Sequence, residues 1–260
     1  MSKAETPGGR FVEAGGHLLE TRWIGEARAG APVLVFLHEG LGCVDMWRDF
    51  PARVAAATGC AALVYSRQGY GRSTGGEAPR TADYLHVEAL RVLPELLDAL
   101  EIDAPVLVGH SDGGSIALLH AADAGRTVRG LVVMAPHEFV EEETLAGIRA
   151  ARAAWATTDL RTRLGRYHAD PERVFLSWND TWLSAEFRAW NIEDCLPRIA
   201  CPVLAIQGRD DEYATLRQIE VIAERVGDAA LLALEDCGHS PQRDQPAAVI
   251  EAIARFVARL

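Results

Sequence analysis

Val106-Leu107-Val108-Gly109-His110-Ser111-Asp112-Gly113-Gly114 is the stretch that decides the reading of this chain. Its apolar opening is too short for a helix and reads as a buried strand, and it runs through G-x-S-x-G straight into residues with helical spacing. An elbow of this kind holds its central residue in a strained turn. The positions two away must lack bulky side chains so that strand and helix can approach. Gly109, Gly113 and Gly114 meet that demand, which makes Ser111 a candidate nucleophile.

Outward from the elbow the same buried-strand signature recurs. Residues 32–37, 61–65, 105–108, 131–134 and 202–206 are apolar throughout, and 230–234 reads as a last member. Residues 48–57, 82–100, 115–124, 213–225 and 247–260 carry apolar side chains at three-to-four spacing with charges opposite, and read as helices. Residues 10–25 read as two short strands around Gly15-Gly16, a dipeptide able to supply the positive φ angles of a hairpin turn. Strands alternating with helices imply parallel pairing with right-handed crossovers. The expected fold is therefore α/β: an eight-stranded, mostly parallel sheet with helices on both faces.

One interval breaks the alternation. More than sixty residues between Met134 and Pro202 read as helices only, which suggests a core of residues 1–137 and 196–260 interrupted by a helical cap at 138–195. Trp155, Trp178, Trp182 and Trp190, four of the six tryptophans, fall in this interval. They are candidates to line an apolar pocket over the strand ends, where open α/β sheets bind ligands. Trp178 and Trp182 stand four apart on one helix face, so sealing the insertion onto the sheet is an equally good reading of that pair.

With 260 residues, 49% hydrophobic and 24% charged, the chain has ordinary globular composition and enough length for one large core. A net charge of -11 repels phosphate backbones and anionic lipid surfaces, which argues against nucleic-acid and membrane-surface roles. There is no apolar run of about 20 residues and no export leader after Met1, so a cytoplasmic location is expected. Five scattered cysteines without a C-x-x-C pair suit neither a disulfide framework nor a zinc cluster, and the eight histidines show no metal-ligand spacing. No metal and no cofactor are expected. The expected partner is a small-molecule substrate, with a homodimer left open.

A serine hydroxyl is a weak nucleophile, so it needs a base within hydrogen-bond reach and an acid that fixes that base. His239 lies in the turn-rich loop Asp236-Cys237-Gly238-His239-Ser240-Pro241 between the last strand and the terminal helix, where a strand end delivers it. His17, His86, His120, His168 and His110 occupy a hairpin, two helices, the cap and the elbow itself. The acid follows the strand 203–206 in Gln207-Gly208-Arg209-Asp210-Asp211-Glu212. A turn opened by Gly208 presents the residue three further on, which favours Asp211 over Asp210, with Glu138 as a weaker alternative. The oxyanion of a tetrahedral intermediate needs N–H donors, and His38-Glu39-Gly40-Leu41-Gly42 follows the first buried strand where such a loop belongs. The backbone N–H groups of Gly40 and Asp112 are the candidates.

Taken together, these motifs resemble the α/β-hydrolase superfamily over nearly the whole chain. The order Ser111, Asp211, His239 fits the family order of nucleophile, acid and histidine, and the cap falls at the usual insertion point. Residues 38–42 are similar to the family's H-G-x-x-G loop, with Glu39 in place of the usual glycine. Ser66-Arg67-Gln68-Gly69-Tyr70-Gly71-Arg72-Ser73 is similar to its D-x-R-G-x-G-x-S loop, with a serine at the common aspartate. Glu39 is also a candidate pocket residue that disfavours anionic substrates.

The resemblance implies carboxylic-ester hydrolysis through an acyl-enzyme at Ser111. Its aspartate-nucleophile relatives, haloalkane dehalogenases and epoxide hydrolases, are disfavoured by that serine. Carbon-carbon bond hydrolases often carry tryptophan after the histidine, where this chain has Ser240. Lactone hydrolysis stays open, as does proline iminopeptidase-like activity, since Glu39 and the run Glu141-Glu142-Glu143 could meet a substrate ammonium. From another class, a non-catalytic binder on the same fold is the alternative, and the intact Ser, His and Asp argue against it.

Overall fold

A computed structural model describes residues 5–6, 9–28, 30–76 and 80–260. Its sheet contains β1 (Glu5–Thr6), β2 (Gly9–Ala14), β3 (His17–Ile24), β4 (Leu34–Leu37), β5 (Ala62–Tyr65), β6 (Val106–His110), β7 (Gly130–Met134), β8 (Val203–Gly208) and β9 (Ala229–Leu234), in the spatial order β1-β2-β3-β5-β4-β6-β7-β8-β9. The eight strands anticipated, six from apolar runs and two from the hairpin around Gly15-Gly16, are all present. The ninth, β1, is a two-residue addition at the edge whose length gave no periodicity to read. From β5 to β9 the pairing is parallel, whereas β1, β2 and β3 run antiparallel. Ala14 pairs with His17 across Gly15 and Gly16, whose φ angles of 60° and 77° supply the left-handed turn.

Both faces of the sheet are buried, and the strands show it residue by residue. Leu34 and Phe36 of β4 join one core with α1 (Phe50–Thr58), while Val35 and Leu37 point into the other. Val106 and Val108 of β6 alternate with Leu107 in the same way. Continuous apolar runs are the sequence consequence of two such interiors. On the second face lie α2 (Tyr84–Val87), α3 (Leu93–Ala99) and α4 (Asp112–Asp123), with a π-helical turn, Glu88–Val92, joining the first two into one rod.

Between β7 and β8 the chain forms α5 (Glu142–Thr157), α6 (Leu160–Leu164), α7 (Pro171–Leu183) and two short 3₁₀ turns, with no sheet strand. Then α8 (Arg217–Arg225), α9 (Pro241–Asp244) and α10 (Pro246–Val257) complete the element order. Helix α8 starts later than the periodicity of 213–225 suggests. Tyr213 N donates to Asp211 at 2.8 Å, and Thr215 donates through N and Oγ1 to Glu141 at 3.0 and 2.6 Å. The backbone before Arg217 is thus held by side chains rather than by a helical ladder. No helix among the described residues is long and apolar enough to cross a membrane.

Strand β4 lies between β5 and β6, so the chain leaves it in one direction and returns on the other side. Crevices beyond the carboxyl ends of strands at such a reversal are where open α/β sheets bind ligands. Leu37 pairs with Gly109, so the loops after β4 and β6 leave the sheet at one level and side by side.

Candidate active site

Ser111 caps α4 with φ 52° and ψ −120°, a left-handed conformation that a residue with a side chain adopts only when its surroundings impose it. The imposition is visible at Gly113. A Cβ built there would stand 2.0 Å from the Leu37 carbonyl oxygen, so α4 packs against β4 with nothing between their backbones. Replacing Gly113 by alanine is expected to push α4 off β4 and cost about 3 kcal/mol or more of stability, read as a lower urea midpoint together with lost activity. Overpacking against backbone, unlike against a flexible side chain, leaves no cheap relaxation.

The structure brings the three dispersed polar residues together. His239 Nε2 lies 2.9 Å from Ser111 Oγ, and His239 Nδ1 lies 2.9 Å from both Asp211 carboxylate oxygens. With a carboxylate facing Nδ1, the ring proton sits there and Nε2 is left as an acceptor for the serine hydroxyl. Asp211, fully buried at its side chain, also accepts from Tyr213 N at 2.8 Å and Gln207 Nε2 at 3.1 Å. Burial works to raise its pKa. The His239 contact, the Tyr213 N–H and the imidazole charge outweigh burial and leave it below its ordinary value.

The opposite holds for His239. Burial lowers its pKa, but the bond to Asp211 and the charges of Asp211, Glu212 and Glu39 raise it above the ordinary 6.5. Asp210 is exposed, and it is Asp211 whose carboxylate meets His239 Nδ1. Glu138 is completely buried, which raises its pKa well above the usual range, and it faces no histidine within hydrogen-bond reach among the described residues. Neither competes with Asp211 for the imidazole.

Gly40 and Asp112 flank Ser111 in a cavity of about 220 Å³, and among the described residues neither backbone N–H donates to a protein acceptor. Glu39, His137, Thr144, Ile148, Trp178, Trp182, Glu212, Tyr213 and Arg243 complete much of the wall. Of the anticipated pocket residues, Glu39, Trp178 and Trp182 are there. Trp155 and Trp190 are not, and this corrects the expectation for both. Trp155 stacks on Phe175 at 4.3 Å and Trp190 on Phe187 at 5.2 Å, so each ring is spent on holding the insertion together. The run Glu141-Glu142-Glu143 is also outside the wall. Glu141 closes a capping box on α5 and binds Thr215 and Gln218.

Several wall residues escaped the sequence reading. His137, three positions beyond the neighbouring strand β7, is buried with its ring centroid 5.8 Å from that of His239. Burial and the nearby His239 charge depress its pKa to about 4, so it stays neutral. Tyr213 presents its ring 4.7 Å from that of His239. Position after a strand end was the available signal for His137, and proximity to Asp211 for Tyr213. Glu39 has Oε2 3.5 Å from His110 Nδ1; burial opposes its ionisation, yet His110 and His38 draw its pKa down to about 2. His168, from the insertion, donates through Nε2 to the Leu41 carbonyl at 2.9 Å and accepts from Gly71 N at 3.0 Å. Among the described residues no cluster of three or more His, Cys, Asp or Glu side chains could hold a metal ion, and all five cysteines are free.

Comparison with known proteins agrees with this architecture. The chain is 27% identical over 253 residues to a 2-succinyl-6-hydroxy-2,4-cyclohexadiene-1-carboxylate synthase of Salmonella paratyphi C, covering 88% of this chain and 94% of that one. An enol-lactonase structure from Burkholderia xenovorans superposes with a TM-score of 0.74 at 21% identity, covering 95% and 99% of the two chains. A proline iminopeptidase from Mycobacterium smegmatis does so with a TM-score of 0.67 at 20% identity, covering 96% and 98%. At these identities the two superpositions speak for the fold alone. The family model for the alpha/beta hydrolase family matches residues 34–252, and with the strand-turn-helix at Ser111 and the sheet order already described it places this chain in that family as a hydrolase-type protein.

Proposed function

We propose that the chain is a serine hydrolase that cleaves a small carboxylic ester through an acyl-enzyme at Ser111. The observation that carries this reading is the 2.9 Å contact between Ser111 Oγ and His239 Nε2, backed by Asp211 on the far side of the ring. In the first half-reaction Oγ bonds to the ester carbonyl carbon as its proton passes to Nε2. The carbonyl oxygen becomes an oxyanion between the Gly40 and Asp112 amides, and collapse breaks the bond to the alcohol oxygen, which takes the proton from Nε2. Water then repeats the sequence on the acyl group, giving the carboxylic acid and free Ser111. The helices of the insertion act as a cap: Trp178 and Trp182 present apolar rings to the cavity, which fits a small apolar or aromatic substrate part.

Charge selects among the relatives. Within the cavity wall Glu39 and Glu212 oppose the lone cation Arg243, a poor match for a carboxylate-bearing compound such as the synthase names. The same two carboxylates favour, as a second reading, a substrate with an ammonium group, as an aminopeptidase would take. Aryl acetates and butyrates assayed beside proline arylamides separate the two. The ester reading expects turnover and a burst with the former, and stoichiometric labelling by a fluorophosphonate. Absence of both in folded protein overturns it and favours the non-catalytic binder.

The pH dependence has a definite sign. His239 must be neutral to accept the serine proton, and its pKa is raised, so kcat/KM is expected to climb with pH through a single midpoint above 6.5. Asp211 stays ionised across that range because its own pKa is lowered. A pH–rate profile on an aryl ester, with a midpoint at or below 6.5, would contradict the Asp211 charge as the controlling influence.

A further inference from the structure

Both candidate oxyanion donors hang on one buried guanidinium. Arg67 Nη2 donates to the Glu39 carbonyl at 2.8 Å, and Arg67 Nη1 donates to Asp112 Oδ2 at 3.1 Å. The Glu39 carbonyl and the Gly40 N–H belong to the same planar trans peptide, so holding the oxygen on one side aims the hydrogen to the other. His38 reinforces the setting. Its Nδ1 donates to the same carbonyl at 2.7 Å while its Nε2 accepts from Arg67 N at 2.9 Å. A flip of this peptide would therefore break two hydrogen bonds to a single buried oxygen.

The second half of the linkage reaches the insertion. Tyr84 Oη donates to Asp112 Oδ2 at 2.8 Å and accepts from Trp182 Nε1 at 3.0 Å, and Trp182 is also a wall of the cavity. Asp112 Oδ1 has no partner among the described residues, so Oδ2 alone takes both Arg67 and Tyr84. Arg67, Tyr84, Asp112 and Trp182 are all buried, which keeps water from substituting for a lost member. Trp178 approaches from the same helix, its Nε1 2.2 Å from where a Cβ on Gly40 would stand.

We propose that Arg67 and Tyr84 are positioning residues for the oxyanion hole, and that Trp182 couples them to the seating of the cap and of a substrate part against it. The inference rests on the acyl-enzyme reading of Ser111. Neither residue touches the reacting atoms; each acts through a peptide or a carboxylate that carries a donor.

Tyr84→Phe deletes one hydroxyl and keeps the ring that stacks on Phe187. It is expected to lower kcat on an aryl ester by about 10- to 100-fold with KM held within about twofold, a partial loss of what removing a donor outright costs. Affinity for an aryl trifluoromethyl ketone, which forms the oxyanion, should fall by the same factor, while affinity for the ester's acid product stays unchanged. If Tyr84→Phe does not fold, Trp182→Phe removes the indole N–H that holds Tyr84; because Trp182 also lines the cavity, its readout is the ratio of ketone affinity to product affinity, which should fall in the same direction by a smaller factor. A fluorophosphonate separates the possible failures. No labelling of the wild type overturns the acyl-enzyme reading and this inference with it. Normal wild-type labelling and turnover, with kcat and ketone affinity unchanged in the variant, overturn the inference alone. So does a variant that loses ketone and product affinity equally, since that marks a merely structural tyrosine.

Discussion

Ser111→Ala is expected to reduce kcat on an aryl ester by about 10⁴- to 10⁶-fold and to abolish fluorophosphonate labelling, while thermal stability changes little. Serine and alanine both carry a Cβ, so the strained φ of 52° is the same for either and the elbow need not reorganise. What disappears is the hydroxyl that meets His239 Nε2, which would then face the cavity alone. The residual rate reports the oxyanion donors and binding, which survive the substitution. A variant retaining more than about one hundredth of the wild-type rate would mean that water, activated by His239, attacks directly.

Asp211→Asn is expected to lower kcat by about 10⁴-fold with the fold intact, and the reason is the tautomer rather than the charge alone. Tyr213 N donates to Oδ1 and Gln207 Nε2 to Oδ2, so an asparagine seated there keeps its oxygen toward one of these donors. Its NH₂ then stands as close to Nδ1 as its oxygen does, and against that NH₂ the ring nitrogen becomes an acceptor. The ring proton moves to Nε2 and points at Ser111 Oγ, where a base is needed. The residual activity should also titrate lower, because the charge that lifts the His239 pKa is gone. Steady-state rates across pH, with circular dichroism as the check on folding, measure both effects.

Much of this is legible in the sequence, and for identifiable reasons. Strands buried on both faces leave continuous apolar runs, so β4, β5, β6, β7 and β8 were visible as such, and the glycines of the elbow mark where two backbones touch. Ser111, Asp211 and His239 could be singled out because each follows a strand and lies in a turn. The two-residue β1 could not, since pairing alone defines it. The tryptophans show the other limit. Composition announced an aromatic insertion, but which rings face the cavity depends on how α7 is rotated and on which rings stack within the insertion. Trp178 and Trp182 point inward, whereas Trp155 and Trp190 pair with Phe175 and Phe187. Arg67 and Tyr84 carry no local signal, because their importance lies in partners 28 to 98 positions away.

The pairing of Leu37 with Gly109 has one more consequence. Because Ser111 and the loop proposed to hold the oxyanion spring from neighbouring rungs of one ladder, the distance between them is a property of strand register, which moves only in jumps of about 3.3 Å and inverts every side chain when it does. Selection or design can therefore redraw the aromatic roof freely, trading one clientele for another, while the reactive geometry underneath is inherited whole.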